Sequence, residues 1–186
     1  MEAEEAYRRV ISSVAFEVGR FFFQGQDIAL GKGKVYQGVR FPLYNDESAL
    51  FDTIEGLVYV LTHECDIDQN NERLFNTEVL ICPIIPFGDL ISTYLEEVPQ
   101  GQFAGFLGNL GARNVSRVVY LPPWQPQLEF GGVMYLNQIT STHVSAFTLE
   151  SVKPVCTLTA YGLQIVEWMI ENHLLRPKAE PLAFAQ

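Results

Sequence analysis

Cysteine is scarce: Cys65, Cys82 and Cys156 are the only three in 186 residues, and no two form a CxxC pair. That excludes a disulfide framework and a four-ligand zinc finger, and it favours a reducing compartment. Long apolar runs are lacking as well. None approaches the roughly 20 residues that span a bilayer, and the opening MEAEEAYRRV is acidic where a secretory leader would be basic and then apolar. A cytoplasmic protein without membrane contact is the expectation. Basic residues are few, 12 Lys+Arg against 22 Asp+Glu, for a formal net charge of -10. A surface of that sign repels phosphate backbones and weighs against sequence-blind nucleic-acid binding. Repeats, linkers and low-complexity segments are also missing, so one domain spanning 1–186 is expected.

What is present supports a packed interior: 48% of residues are hydrophobic and 12% aromatic. The acidity is concentrated. Between Asp46 and Glu78 lie Asp46, Glu47, Asp52, Glu55, Glu64, Asp66, Asp68, Glu72 and Glu78 against Arg73 alone. Such a stretch fits a protein partner with a basic surface, and RNA is the less favoured ligand. Arg20, Lys32, Lys34 and Arg40 form a smaller basic stretch relieved by Asp27.

Over 4–24, Tyr7, Val10, Ile11, Val14, Val18, Phe21 and Phe22 recur at three- and four-residue steps, which predicts an amphipathic N-terminal helix. Period-two or continuous apolar runs follow in VYQGVRF, GLVYVLT, EVLICP, VSRVVYL, GVMYL and KPVCTL. The runs Gly56 to Thr62 and Glu78 to Pro83 are expected to pair as antiparallel strands. Residues 87–112 read as a helical insertion, glycine-rich and weakly determined. Thr159 caps a C-terminal helix over 159–175 with Leu163, Val166, Ile170 and Leu174 on one face, and a tail follows Arg176. The expected fold is α+β: a small, strongly bent antiparallel β-barrel over 33–158 between N- and C-terminal amphipathic helices.

Chemistry-bearing residues cluster in Thr62-His63-Glu64-Cys65-Asp66-Ile67-Asp68, just past an apolar strand. His63 and Cys65 are candidate metal ligands, to be completed by Asp66 or His143. Cys65 with His63 or His143 as base is a candidate nucleophile, although the neighbouring acids disfavour a thiolate. Asp66, Asp68, Asn70 and Glu72 echo a calcium loop, but Asn71 stands where glycine is needed and Thr77 where glutamate is. The simplest reading makes Cys65 a small buried residue, with Thr62 and Asp66 tying the loop backbone together. No cofactor is called for. Asp66, Asp68, Arg113 and Arg117 are candidate binding residues, the arginines as phosphate clamps.

The order of GLVYVLTHE, an Asp/Asn-rich loop, EVLICPII, VMYLNQITS and a terminal helix resembles the chain plan of PemK/MazF-type toxins, small barrels that cleave RNA. The counterparts are Cys82-Pro83-Ile84-Ile85 and Asn137-Gln138-Ile139-Thr140-Ser141. The resemblance covers roughly 33–175, excluding the inserted middle. It implies a threonine at the first motif and an arginine shortly after the second, stabilising the attacked phosphate. Here Ile85 stands at the first position, and Thr142-His143-Val144-Ser145-Ala146 holds no arginine. The Thr-x-x-Cys-Asp-Ile turn, the Arg117-x-x-Tyr120-Leu121-Pro122 strand and the closing Arg-Pro are also similar to uncharacterised bacterial proteins, which imply no activity. Three readings follow: a non-catalytic binding or adaptor module of a bacterial multi-protein system of the defence or toxin–antitoxin kind; an endoribonuclease with displaced groups, using His63 or His143 as base; or a metal-binding protein using His63 and Cys65.

Overall fold

Apolar runs that would leave one face wet in a lone hairpin become the middle of a sheet covered on both sides. The computed structural model describes residues 5, 18–23, 29–68, 70, 71, 74, 76–97, 100–112 and 114–175. Of the helix expected over 4–24, only Glu5 and 18–23 are described, with α1 at Val18–Phe21. The rest of that expectation, and the tail from 176, lie outside the described residues.

The chain then forms β1 (Lys34–Asn45), β2 (Leu50–Val60), α2 (Glu64–Ile67), β3 (Glu78–Pro86), α3 (Phe87–Glu97) and α4 (Gln100–Gly111). It continues with β4 (Val118–Leu121), β5 (Gly132–Tyr135), β6 (Thr140–His143), β7 (Lys153–Thr157) and α5 (Ala160–Leu175), with 3-10 turns on either side of β6. All ladders are antiparallel in the order β4-β5-β3-β2-β1-β7, and β6 pairs with β3 on the edge it shares with β5. The path ends at β4 and β7, and among the described residues no ladder joins them. The fold is therefore mixed α+β on an open seven-stranded antiparallel sheet. The two apolar runs pair as their composition suggests, Leu57 with Ile84 through Val60 with Ile81.

Both faces of these central strands are buried, which is why they read as continuous apolar runs. On one face Val35, Tyr59, Cys82, Ile84 and Met134 pack with Val166 and Met169 of α5. On the other, Val39, Phe41, Val58, Val60, Val79 and Ile81 pack with Ile67 of α2 and the half-buried Phe147. A third cluster joins Phe87 and Ile91 of α3 and Leu107 and Leu110 of α4 to Tyr120 and Val133 of β4 and β5.

The hydroxyl of Thr159 caps α5, accepting the Gly162 N–H at 3.2 Å and donating to the Arg20 carbonyl. The buried face of α5 is Gly162, Val166 and Met169, and Leu174 is 61% exposed. Of the face predicted from the sequence, Val166 is buried and Leu163 and Ile170 pack against the same core, while Leu174 points out. Gly162 joins that face at close range, where a Cβ would stand 2.5 Å from the Phe21 carbonyl oxygen. No helix among the described residues is long and apolar enough to cross a membrane.

One irregularity shapes the surface. The β1–β2 register shifts between Tyr36 and Val39, where Gly38 has φ +79 and a Cβ would lie 2.6 Å from the Ser151 carbonyl oxygen. A bulge of this kind strengthens the local twist. Beyond it, Val39–Asn45 and Leu50–Gly56 run on as a two-stranded arm, with every residue from Leu50 to Glu55 exposed.

Candidate functional site

The turn after β2 collects most of the residues the sequence singles out. His63 is the N-cap of α2, and its Nδ1 accepts the Cys65 N–H at 3.4 Å while standing 3.5 Å from Glu64 Oε2. The Glu64 side chain lies over Gly31, where no Cβ would fit, and approaches the Nζ of buried Lys34 at 3.8 Å. Lys34 Nζ also donates to the Ala29 carbonyl. Asp68 Oδ1 accepts both the backbone and the side-chain N–H of Asn70 at 2.9 Å, and Asn71 Nδ2 donates to the Cys65 carbonyl at 3.1 Å. Thr62 Oγ1 accepts the Leu80 N–H at 2.7 Å, so the loop is tied to β3. Asp66 contributes its backbone, whose N–H donates to the His63 carbonyl at 3.0 Å.

Cys65 is exposed, contrary to the buried role expected for it. It sits on a four-residue helix that projects from the sheet end and turns only Ile67 inward. The buried thiols are the other two: desolvation pushes Cys82 and Cys156 up to about 12, which leaves them protonated and unreactive at neutral pH.

His143 ends β6 and repeats the arrangement at His63. Its Nδ1 accepts the Ser145 N–H at 3.2 Å and lies 2.8 Å from Ser145 Oγ. A ring nitrogen that accepts a backbone N–H carries no proton, so the neutral ring holds its proton on Nε2. Both histidines act here as cap residues. They leave the sheet on opposite sides of β3, His63 beyond the Leu61–Leu80 hydrogen bond and His143 opposite Glu78. Among the described residues, no group of three His, Cys, Asp or Glu is placed to hold a metal ion.

Arg117 is exposed just before β4, its carbonyl accepting the Leu136 N–H at 2.9 Å, with β5 between that strand and β3. It is therefore not brought to the histidine turns. Arg113 lies outside the described residues. The two positions at which the toxin resemblance implies catalytic groups are also apart. Ile85 pairs with Val133 while Thr142 pairs with Val79, and six residues along β3 amount to roughly 20 Å.

A second region holds the first part of the acidic stretch, Asp46 to Glu55, on a hairpin that was not read from the sequence. The arm carries Tyr44, Leu50, Phe51 and Ile54 exposed, with the Tyr44 and Phe51 rings edge to face at 5.4 Å. Arg40 Nε meets Glu55 Oε2 at 3.3 Å across the pair, and Asn45 Nδ2 donates to Asp52 Oδ2 at 2.7 Å. Register places Arg40, Pro42 and Tyr44 on one face with Glu55, Thr53 and Phe51. At its base that face meets a cleft of ≈ 340 Å³ whose lining includes Gln37, Glu55, Leu57, Ile84 and Gln127. The available signal was the turn: Asn45 Oδ1 accepts the N–H groups of Glu47 and Ser48 at 2.9 and 3.3 Å, between the apolar pairs Leu43-Tyr44 and Leu50-Phe51.

No protein-family model matches the chain, and no curated protein matches it.

Proposed function

We propose that the protein is a non-catalytic binding or adaptor module of a bacterial multi-protein system, and that its acidic arm docks a protein partner with a basic surface. The observation that carries this reading is a coincidence of charge and apolar exposure. Asp46, Glu47, Asp52 and Glu55 stand against Arg40 alone on an arm that also exposes Tyr44, Leu50 and Phe51. Aromatic residues beside unneutralised charge suit an interface anchor with a polar rim. The net charge of -10 adds long-range steering of a basic partner.

The defence or toxin–antitoxin setting and the PemK/MazF-like barrel rest on the resemblance of the chain plan, and the cytoplasmic location on the scarcity of cysteine. The curl of β6 toward β1 supports a barrel-like path, since Thr142 Oγ1 donates to the Arg40 carbonyl at 2.9 Å. RNA cleavage with displaced groups loses support from the separation of Ile85 and Thr142 and from the capped histidines. The same caps weigh against a His63/Cys65 metal site.

Affinity capture from the native host tests the reading. The wild-type chain should retain a basic partner in stoichiometric amount, and a variant carrying Asp46→Asn, Glu47→Gln, Asp52→Asn and Glu55→Gln should release it. Equal capture by both proteins would contradict docking through the arm.

A further inference from the structure

The two long edges of the arm are not equivalent. On β1 the Arg40 carbonyl receives the Thr142 hydroxyl and therefore points away from β2. Backbone groups alternate in direction along an antiparallel pair, so Pro42 and Tyr44 also face outward. Pro42 has no N–H to offer on that edge, which blunts it. The register partners of these residues, Glu55, Thr53 and Phe51, must then turn their N–H and C=O groups to the opposite edge, on β2. There β3 pairs only with Leu57–Val60, and among the described residues no ladder covers Leu50–Ile54.

We propose that this edge of β2 takes an extended basic segment of the partner protein by strand addition. Main-chain bonds to Phe51, Thr53 and Glu55 supply affinity, and side chains on both faces supply selection. Asp52 and Glu55 lie on opposite faces of the strand, as do Phe51 and Ile54. An antiparallel segment laid from Glu55 to Phe51 therefore reads basic, apolar, unrestricted, basic, apolar. Its first residue approaches the cleft beside Gln37 and Gln127. A second copy of this chain is the wrong occupant, because it would bring the same acids to the edge, and like charges across a ladder destabilise it. The inference rests on the reading of the arm as the docking face and adds the mode of docking.

The probe is a short labelled peptide repeating Lys-Val-Thr, titrated by fluorescence anisotropy at low salt. Wild type should bind it, and Thr53→Pro, which removes one outward N–H and leaves the β1 ladder intact, should weaken binding by about tenfold. Circular dichroism establishes that the variant is folded. Two peptides, each N-methylated on one alternate set of backbone nitrogens, test the same bonds on wild-type protein; one of the two should lose binding and the other keep it. Asp52→Asn with Glu55→Gln should weaken binding of the unmodified peptide. If Thr53→Pro and both methylated peptides bind like their parents while the charge variant does not, strand addition is overturned and docking by the acidic arm stands. Absence of binding by the wild type overturns strand addition too, and host capture then decides separately whether the arm docks a partner at all.

Discussion

Histidine and cysteine are where a reader of this sequence looks for chemistry; in the structure His63 and His143 serve as caps, Cys82 and Cys156 are buried and Cys65 is exposed. His63 and His143 spend Nδ1 on backbone N–H groups two residues ahead, each starting a short helical turn. Their signal in the sequence is the pattern of a polar residue at a strand end, which serves a cap as well as a catalyst. Replacing both with asparagine, which also caps, should leave partner binding unchanged within twofold, as measured by the anisotropy titration. The buried thiols make a separate prediction. Cys82 and Cys156 shift from 9.0 to about 12 through burial. A raised folded-state value means that the unfolded chain ionises first as pH climbs. The contribution to stability is thus complete below pH 9 and is lost between pH 9 and about 12. The unfolding free energy from urea titrations should fall across that window, by at most about 1.4 kcal/mol per pH unit for each thiol. Cys156→Ala should make the decline shallower.

At the scale of elements, legibility followed burial. The runs that became the paired parts of β2 and β3, and those at β4 and β5, were readable because their apolar character persists along the strand. The outer part of the arm was not, because Pro42, Tyr44 and every residue from Leu50 to Glu55 are exposed and mix Pro42, Asn45 and Asp52 with Phe51 and Ile54. The Thr-Ser-Thr-His segment of β6 reads as a polar turn for the same reason: its strand character comes from pairing with Glu78–Ile81, which no local pattern encodes. For α5 the period and most of the face were legible, since Leu163, Val166 and Ile170 pack on the core; the close approach at Gly162 and the exposure of Leu174 were not. Two predictions belong here. Thr159→Ala removes the cap and the link to Arg20, and should cost about 1 kcal/mol by thermal or urea unfolding. Gly38→Ala, at positive φ and against the Ser151 carbonyl, should cost about 1 to 3 kcal/mol and weaken peptide binding, because the bulge aims the arm.

For the whole molecule, the location of the acidity was legible and its shape was not. The acids from Asp46 to Glu55 belong to a projecting arm, whereas those from Glu64 to Asp68 belong to a turn tied to the sheet end by Lys34 and Thr62 and braced internally by the Asn70 and Asn71 side chains. One charge run in the sequence is therefore two surfaces in space, and among the described residues only the first also exposes aromatic side chains. The measurement that bears most directly on the arm as the docking face is a heteronuclear NMR titration of the labelled protein with the Lys-Val-Thr peptide. The account predicts chemical-shift changes concentrated in residues 39–57 and in the cleft residues Gln37, Ile84 and Gln127, shrinking as salt is raised. Shifts centred instead on residues 62–68 and 143–145, with the arm unmoved, would contradict it.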